Sequence, residues 1–233
     1  ADELQRVTCS DGVVVVVKRF RPARPDPTRL PIVCLPGLGT DSANFDGDDG
    51  LARVFADAGH DVYVVDFRGT GLSTVPFKRW TSISFDDFVD KDLAAVVEHV
   101  CASSGHDRVV LVGHSMGGIA AYAFVGGAAG HRVGGVIAIA SPLGFPTGFD
   151  DVPFFKLLLP LSPFLPGLFG GTLGRLVTPL MFRVDAPYLK NWVIFDNVDA
   201  KRARRLYFRA VQDVPRGLAH QFQDWVTNDV VRS

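Results

Sequence analysis

The chain has almost no excess charge. Twenty-four lysines and arginines stand against 25 aspartates and glutamates, a net of -1 over 233 residues. There is no broad positive field to draw in a polyanion, so the composition argues against nucleic-acid binding. Cysteine is scarce as well. Cys9, Cys34 and Cys101 are odd in number and lack CxxC spacing, which disfavours a disulfide framework or a cysteine metal site and predicts reduced thiols in a cytoplasmic protein. A membrane-length apolar run is also missing. The uncharged stretch 157–174, close to bilayer length, is broken by Pro160, Pro163 and Pro166 and by four glycines, so no transmembrane span is expected. What the chain does contain is core-forming material, with 47% hydrophobic and 21% charged residues, enough for one large globular unit or one unit carrying an insertion.

Short apolar runs alternate with helical patterns from the start. Val13 to Val17 reads as a strand after the Asp11-Gly12 turn, and Leu30 to Leu35 as a second that ends at Pro36-Gly37-Leu38-Gly39. Leu51, Val54, Phe55 and Ala58 recur at helical spacing, with Gly59 as the stop, and Val62 to Val65 forms the next strand, ending at Asp66-Phe67-Arg68-Gly69. A helix beginning near Ser84 or Asp86 carries Phe88, Leu93, Val96, Val97 and Val100 as far as Gly105. Val109 to Val112 and Val136 to Ala140 complete the strands. Strands that are apolar on both faces and alternate with helices predict an α/β fold with a mostly parallel sheet covered on both sides.

The pattern changes after Pro142. Proline, glycine, phenylalanine and leucine dominate to about Pro179, and polar helical segments follow, among them an amphipathic stretch over 200–211 with its arginines on a solvated face. The expected division is a core over 1–142, a helical apolar cap over 143–225 without strands, and a return to the core over 226–233.

The chemistry concentrates at Gly113-His114-Ser115-Met116-Gly117-Gly118. A Gly-x-Ser-x-Gly match alone is weak, but this one follows a four-residue apolar strand and opens a helix of small residues. That context predicts a sharp, strained turn that exposes the Ser115 hydroxyl, with the glycines present because side chains there would collide with neighbouring backbone. The helix start also aims unpaired amides at the reacting group. His114 is expected to pack away from the site, and Asp66 and Arg68 to order their loop.

From about Leu30 to Ser141 the chain resembles the α/β-hydrolase family, on four motifs: Pro36-Gly37-Leu38-Gly39, Asp66 to Ser73, Gly113 to Gly118, and the strand ending at Ser141-Pro142. The resemblance implies an α/β-hydrolase core with an inserted cap. It implies Ser115 as nucleophile and the backbone amides of Leu38 and Met116 as the oxyanion hole. The family order of serine, then acid, then histidine leaves the last two unassigned. His60, His99 and His106 precede Ser115, and His131 lies about four helical turns on, roughly 24 Å along a helix. His220 falls in the expected cap with no strand to present it, and Asp196 and Asp224 are cap residues. The acid and the histidine are therefore expected after residue 233, in a complementary C-terminal chain from the same precursor.

A serine at such an elbow implies acyl transfer, with hydrolysis of an apolar or lipid-like acyl ester as the leading reaction and no cofactor or metal. Met116 also occurs among cofactor-free perhydrolases of the family. A related acyltransferase, or a ligand-binding member without chemistry, is the alternative. Phe145, Phe149, Phe154, Phe155, Phe164, Phe169 and Phe182 make the cap apolar, which suits either an acyl pocket or simple packing onto the core.

Overall fold

The computed structural model describes residues 1–47, 50–144, 165–181, 208–229 and 231. Six strands form one sheet in the order β1-β2-β4-β3-β5-β6: β1 (Glu3–Thr8), β2 (Val14–Phe20), β3 (Ile32–Leu35), β4 (Val62–Asp66), β5 (Val109–His114) and β6 (Val133–Ile139). β1 and β2 form an antiparallel hairpin, and β2 runs antiparallel to β4. The pairs β4/β3, β3/β5 and β5/β6 are parallel, with Ile32 opposite both Val62 and Val110.

The side-chain period of two along each strand divides the core into two layers. Val33, Leu35, Tyr63, Val65 and Leu111 point into the larger one, beneath α3 (Ala94–Ser104) and α4 (Met116–Gly126). Ile32, Cys34, Val62, Val64 and Val112 point into the smaller one, against Phe45 and α1 (Leu51–Asp57), and a single turn, α2 (Phe77–Trp80), follows β4. Every residue of β3 and β4 is buried, which is why these strands read as continuous apolar runs. Phe88, Leu93, Val96, Val97 and Val100 are buried as their periodicity predicts. The first part of that helix, Asp87–Leu93, is wound as a wider π turn that carries Asp92 into the interior.

Three expectations need correction. Helix α1 buries Ala52 and Ala56 and packs Phe55 against the same layer, whereas Leu51 and Val54 face solvent, so the helix is turned toward its small residues. The 143–225 region does contain strand: β7 (Gly167–Leu168) pairs antiparallel with β8 (Val214–Pro215), a ladder too short to leave an alternating signal. The third concerns the region's last helix. Helix α6 (Arg216–Asn228), which follows α5 (Gly170–Met181), packs on the main core through Leu218, Phe222 and Trp225. Trp225 meets Phe85 edge to face at 4.8 Å, and the Gln221 side chain accepts from the Phe85 amide at 2.8 Å. Burying side chains of this size is worth about 1.5–3 kcal/mol each, enough to hold α6 and with it the C-terminal end of β8 on the core.

Candidate active site

Ser115 sits where β5 stops and α4 starts, with φ 52° and ψ -120°, a conformation that a residue with a side chain adopts only under strain. Its amide donates to the Ile139 carbonyl at 2.8 Å, so the pairing of β5 with β6 continues through the turn. Close packing explains the two glycines. A Cβ on Gly117 would stand 2.1 Å from the Leu35 carbonyl oxygen, and one on Gly113 would stand 2.3 Å from the Gly118 amide nitrogen. Ser115 is half-buried, and its hydroxyl has no hydrogen-bond partner among the described residues.

The Pro36–Thr40 turn after β3 lies against this elbow. A Cβ on Gly37 would stand 3.3 Å from Ser115 Cβ and 3.0 Å from His114 Nδ1. The turn is tightly bonded. The Gly37 amide donates to Asn44 Oδ1 at 3.1 Å, and the Gly37 carbonyl accepts from the Thr40 amide at 3.2 Å. Thr40 Oγ1 lies 2.9 Å from that carbonyl and 2.6 Å from Asn44 Oδ1, sharing its single proton between them. Two amides are left over. Neither Leu38 N–H nor Met116 N–H has an acceptor among the described residues. The sequence singled out these two donors, and they lie on adjoining turns beside Ser115.

A small cavity opens between these turns and the far part of the chain. Gly37, Thr40, Thr70 and Met116 line it from the core side, and Asp213 and Val214 from the other. Asp213 is already engaged, accepting from Thr172 N at 2.8 Å and Thr172 Oγ1 at 2.6 Å. Residues 211–215 could not have been placed here from sequence, because only the folded chain brings them against residues 37–41.

The histidines are spread over the fold. His60 bonds to the Leu30 carbonyl, His99 to Gln5, His106 to the carbonyls of Ser104 and Pro27, and His131 to the Ala128 carbonyl. His220 is exposed on α6. His114 packs against the Gly37 turn, where burial lowers its pKa and leaves Nδ1 without a partner among the described residues. Asp196 and six of the seven cap phenylalanines lie outside the described residues. The seventh, Phe169, stacks on Trp80 at 6.0 Å. Of the 200–211 stretch, Arg209 is exposed and Ala210 buried. No group of three or more potential metal ligands occurs among the described residues, and none of their helices is long and apolar enough to cross a membrane.

Asp66 and Arg68 order the loop. The buried Asp66 carboxylate accepts from the amides of Ser42 at 2.8 Å and Leu72 at 2.9 Å, tying the loop after β4 to the loop after β3. Arg68 bonds the buried Asp92 and the half-buried Asp11. Burial opposes the guanidinium charge, yet these two carboxylates outweigh it and raise the Arg68 pKa. Burial in turn pushes the Asp92 carboxyl upward, against the pull of Arg68.

The model of the alpha/beta hydrolase fold family matches residues 31–186. The chain belongs to that family. Among curated proteins it is similar to human lipase member N, at 29% identity over 130 residues that cover 49% of this chain and 32% of the relative. It is also similar to human lysosomal acid lipase/cholesteryl ester hydrolase, at 30% over 124 residues covering 48% and 31%. The matched stretch thus spans about a third of these relatives. Among solved structures, E-2-(acetamidomethylene)succinate hydrolase shares 18% identity at a TM-score of 0.59, covering 97% of this chain and 74% of that one. A carboxylesterase of Nitrososphaera gargenis shares 14% at 0.58, covering 94% and 70%. Both show the α/β-hydrolase fold.

Proposed function

We propose that the protein is a serine hydrolase that cleaves carboxylic esters of apolar or lipid-like acyl groups through an acyl-enzyme. The observation that carries this reading is the strained Ser115 beside two unpaired amides, Leu38 N–H and Met116 N–H. In the proposed step the Ser115 oxygen attacks the ester carbonyl carbon and its proton leaves to a base. The carbonyl oxygen takes up the negative charge facing the two amides, and the alcohol departs; water then releases the acid by the same route. Each such donor is worth roughly 3 to 4 kcal/mol of barrier. The strained serine favours catalysis over a purely ligand-binding role. The lipases among the relatives support an apolar acyl group.

The base and its acid belong to the proposal too. No described histidine other than His114 adjoins Ser115, and β6 has a strand partner on one side only among the described residues, with Ile137 and Ile139 exposed. Both observations support a complementary segment from beyond Ser233 that pairs with β6 and brings the acid and the histidine. That Cys9, Cys34 and Cys101 are buried thiols outside any disulfide supports a reducing, cytoplasmic setting.

The test is hydrolysis of p-nitrophenyl esters from acetate to palmitate by the native preparation, alongside its intact masses under denaturing conditions. The reading expects turnover that favours the longer acyl chains and a second polypeptide, or a mass that extends past Ser233. Absence of turnover with every ester would overturn it.

A further inference from the structure

The segment from Val211 to Pro215 reaches the Leu38 turn from the far end of the sequence and bonds to it at three points. The Gln212 amide donates to the Gly39 carbonyl at 2.7 Å. The Gln212 side-chain amide donates to Asp41 Oδ2 at 2.7 Å, and Val211 forms an antiparallel bridge with Thr40. On its other side the segment is tied to α5: Asp213 holds both the amide and the hydroxyl of Thr172, and Arg175 Nη2 donates to the Val211 carbonyl at 3.1 Å. It also pairs with β7.

These bonds bear on the direction of one amide. The peptide unit between Gly37 and Leu38 is planar and trans, so its N–H points opposite to the Gly37 carbonyl. Thr40, which approaches that carbonyl with both its amide and its hydroxyl, therefore fixes where Leu38 N–H aims. Thr40 is itself held between Asn44 and Val211, with the residues on either side of it bonded to Gln212. Gly39, at φ 63°, is the turn's most permissive residue, and its carbonyl is the one that Gln212 secures. Asp41 cannot hold the turn alone, since its Oδ1 is committed to the Ala43 amide at 2.9 Å.

We propose that Gln212 is a positioning residue for the oxyanion hole, bracketing Gly39 and Asp41 so that Leu38 N–H is aimed at the reacting oxygen and catalysis is coupled to the docking of α5 and β7. The inference rests on the assignment of Ser115 and Leu38 above. An amide held in advance lowers the barrier without tightening the ground state, so its loss appears in kcat and leaves KM nearly unchanged.

The test is ester turnover by the active preparation, with four variants. Gln212→Ala and Gln212→Glu should each lower kcat about 10- to 100-fold with KM within about threefold, and slow labelling by a fluorophosphonate to the same degree. Asp41→Asn alone should lose less than about threefold in kcat, since the Gln212 amide can turn its oxygen toward the new NH2 and keep the bond. The pair Asp41→Asn with Gln212→Glu exchanges donor and acceptor, since the amide introduced at position 41 can keep its oxygen on the Ala43 N–H and donate to the carboxylate introduced at position 212. It should return kcat to within about threefold of wild type. The inference is overturned if Gln212→Ala keeps kcat within twofold of wild type, or if the exchanged pair is no better than Gln212→Glu alone. Ser115→Ala separates the two readings: if it retains turnover, the serine assignment fails, and if it is inactive while Gln212→Ala is fully active, only the role of Gln212 fails.

Discussion

Gly117 and Leu35 stand so close that a Cβ on the glycine would lie 2.1 Å from the Leu35 carbonyl oxygen. The contact presses the first turn of α4 against the end of β3, which brings the Ser115 elbow beside the Pro36–Thr40 turn. The atoms in the way are backbone atoms of Leu35 and Pro36, so no rotamer change can make room. Gly117→Ala should therefore destabilise the protein by about 3 kcal/mol or more. The check is chemical denaturation, and a loss below about 1 kcal/mol would mean that the two turns are not in contact.

The Arg68–Asp92 pair sets a second expectation. Asp92 is fully buried and Arg68 nearly so, whereas the Asp11 side chain keeps 23% of its surface exposed. Arg68→Met would leave the buried Asp92 without its counter-charge, with only the residue 68 amide and the Cys9 thiol still donating to it, at a cost of about 3–5 kcal/mol. Asp11→Asn removes a more exposed partner and should cost about 1 kcal/mol or less. Urea unfolding of the two variants measures the difference, and equal losses would contradict this ranking.

Asp41 should give stability a pH dependence. Burial pushes its carboxyl up to about 6 from an ordinary 3.8, against the Ala43 amide, while Asp66, Asp46 and Lys18 also act on it. The sign follows from linkage. Below about pH 4 the group is protonated in both states and costs nothing. As pH rises to about 6 the unfolded chain releases the proton first, and above that the full cost of about 3 kcal/mol is present. In Asp41→Asn this contribution is gone. Whatever constant offset the substitution brings, its stability relative to wild type should rise between pH 4 and 6 and then level off. A difference that stays flat across that range would contradict the assignment.

The central sheet was legible because β3, β4 and β5 are buried on both faces, which leaves runs of valine, isoleucine and leucine bounded by glycine and proline turns. Ser115 was legible for the same reason, since a strained serine between a buried strand and a small-residue helix needs glycines at fixed offsets. β1 was missed. In Glu3–Thr8 only Val7 is buried, so an edge strand left no apolar run. The apolar face of α1 was misread because Leu51 and Val54 share the helical period with Ala52 and Ala56, and spacing cannot tell which face the sheet accepts. The bonds of Gln212 to Gly39 and Asp41, and of Arg68 to Asp11 and Asp92, join residues far apart in sequence. Only tertiary packing brings those groups together, and no local pattern records them.

The most direct measurement of the central claim is peptide mapping of the active preparation after reaction with a fluorophosphonate, an acyl-ester mimic whose phosphorus bonds to an activated serine. The account predicts one modified residue, Ser115, at close to one equivalent, with ester turnover lost in proportion and neither labelling nor turnover in Ser115→Ala. Labelling on another residue, or undiminished turnover in Ser115→Ala, would contradict it.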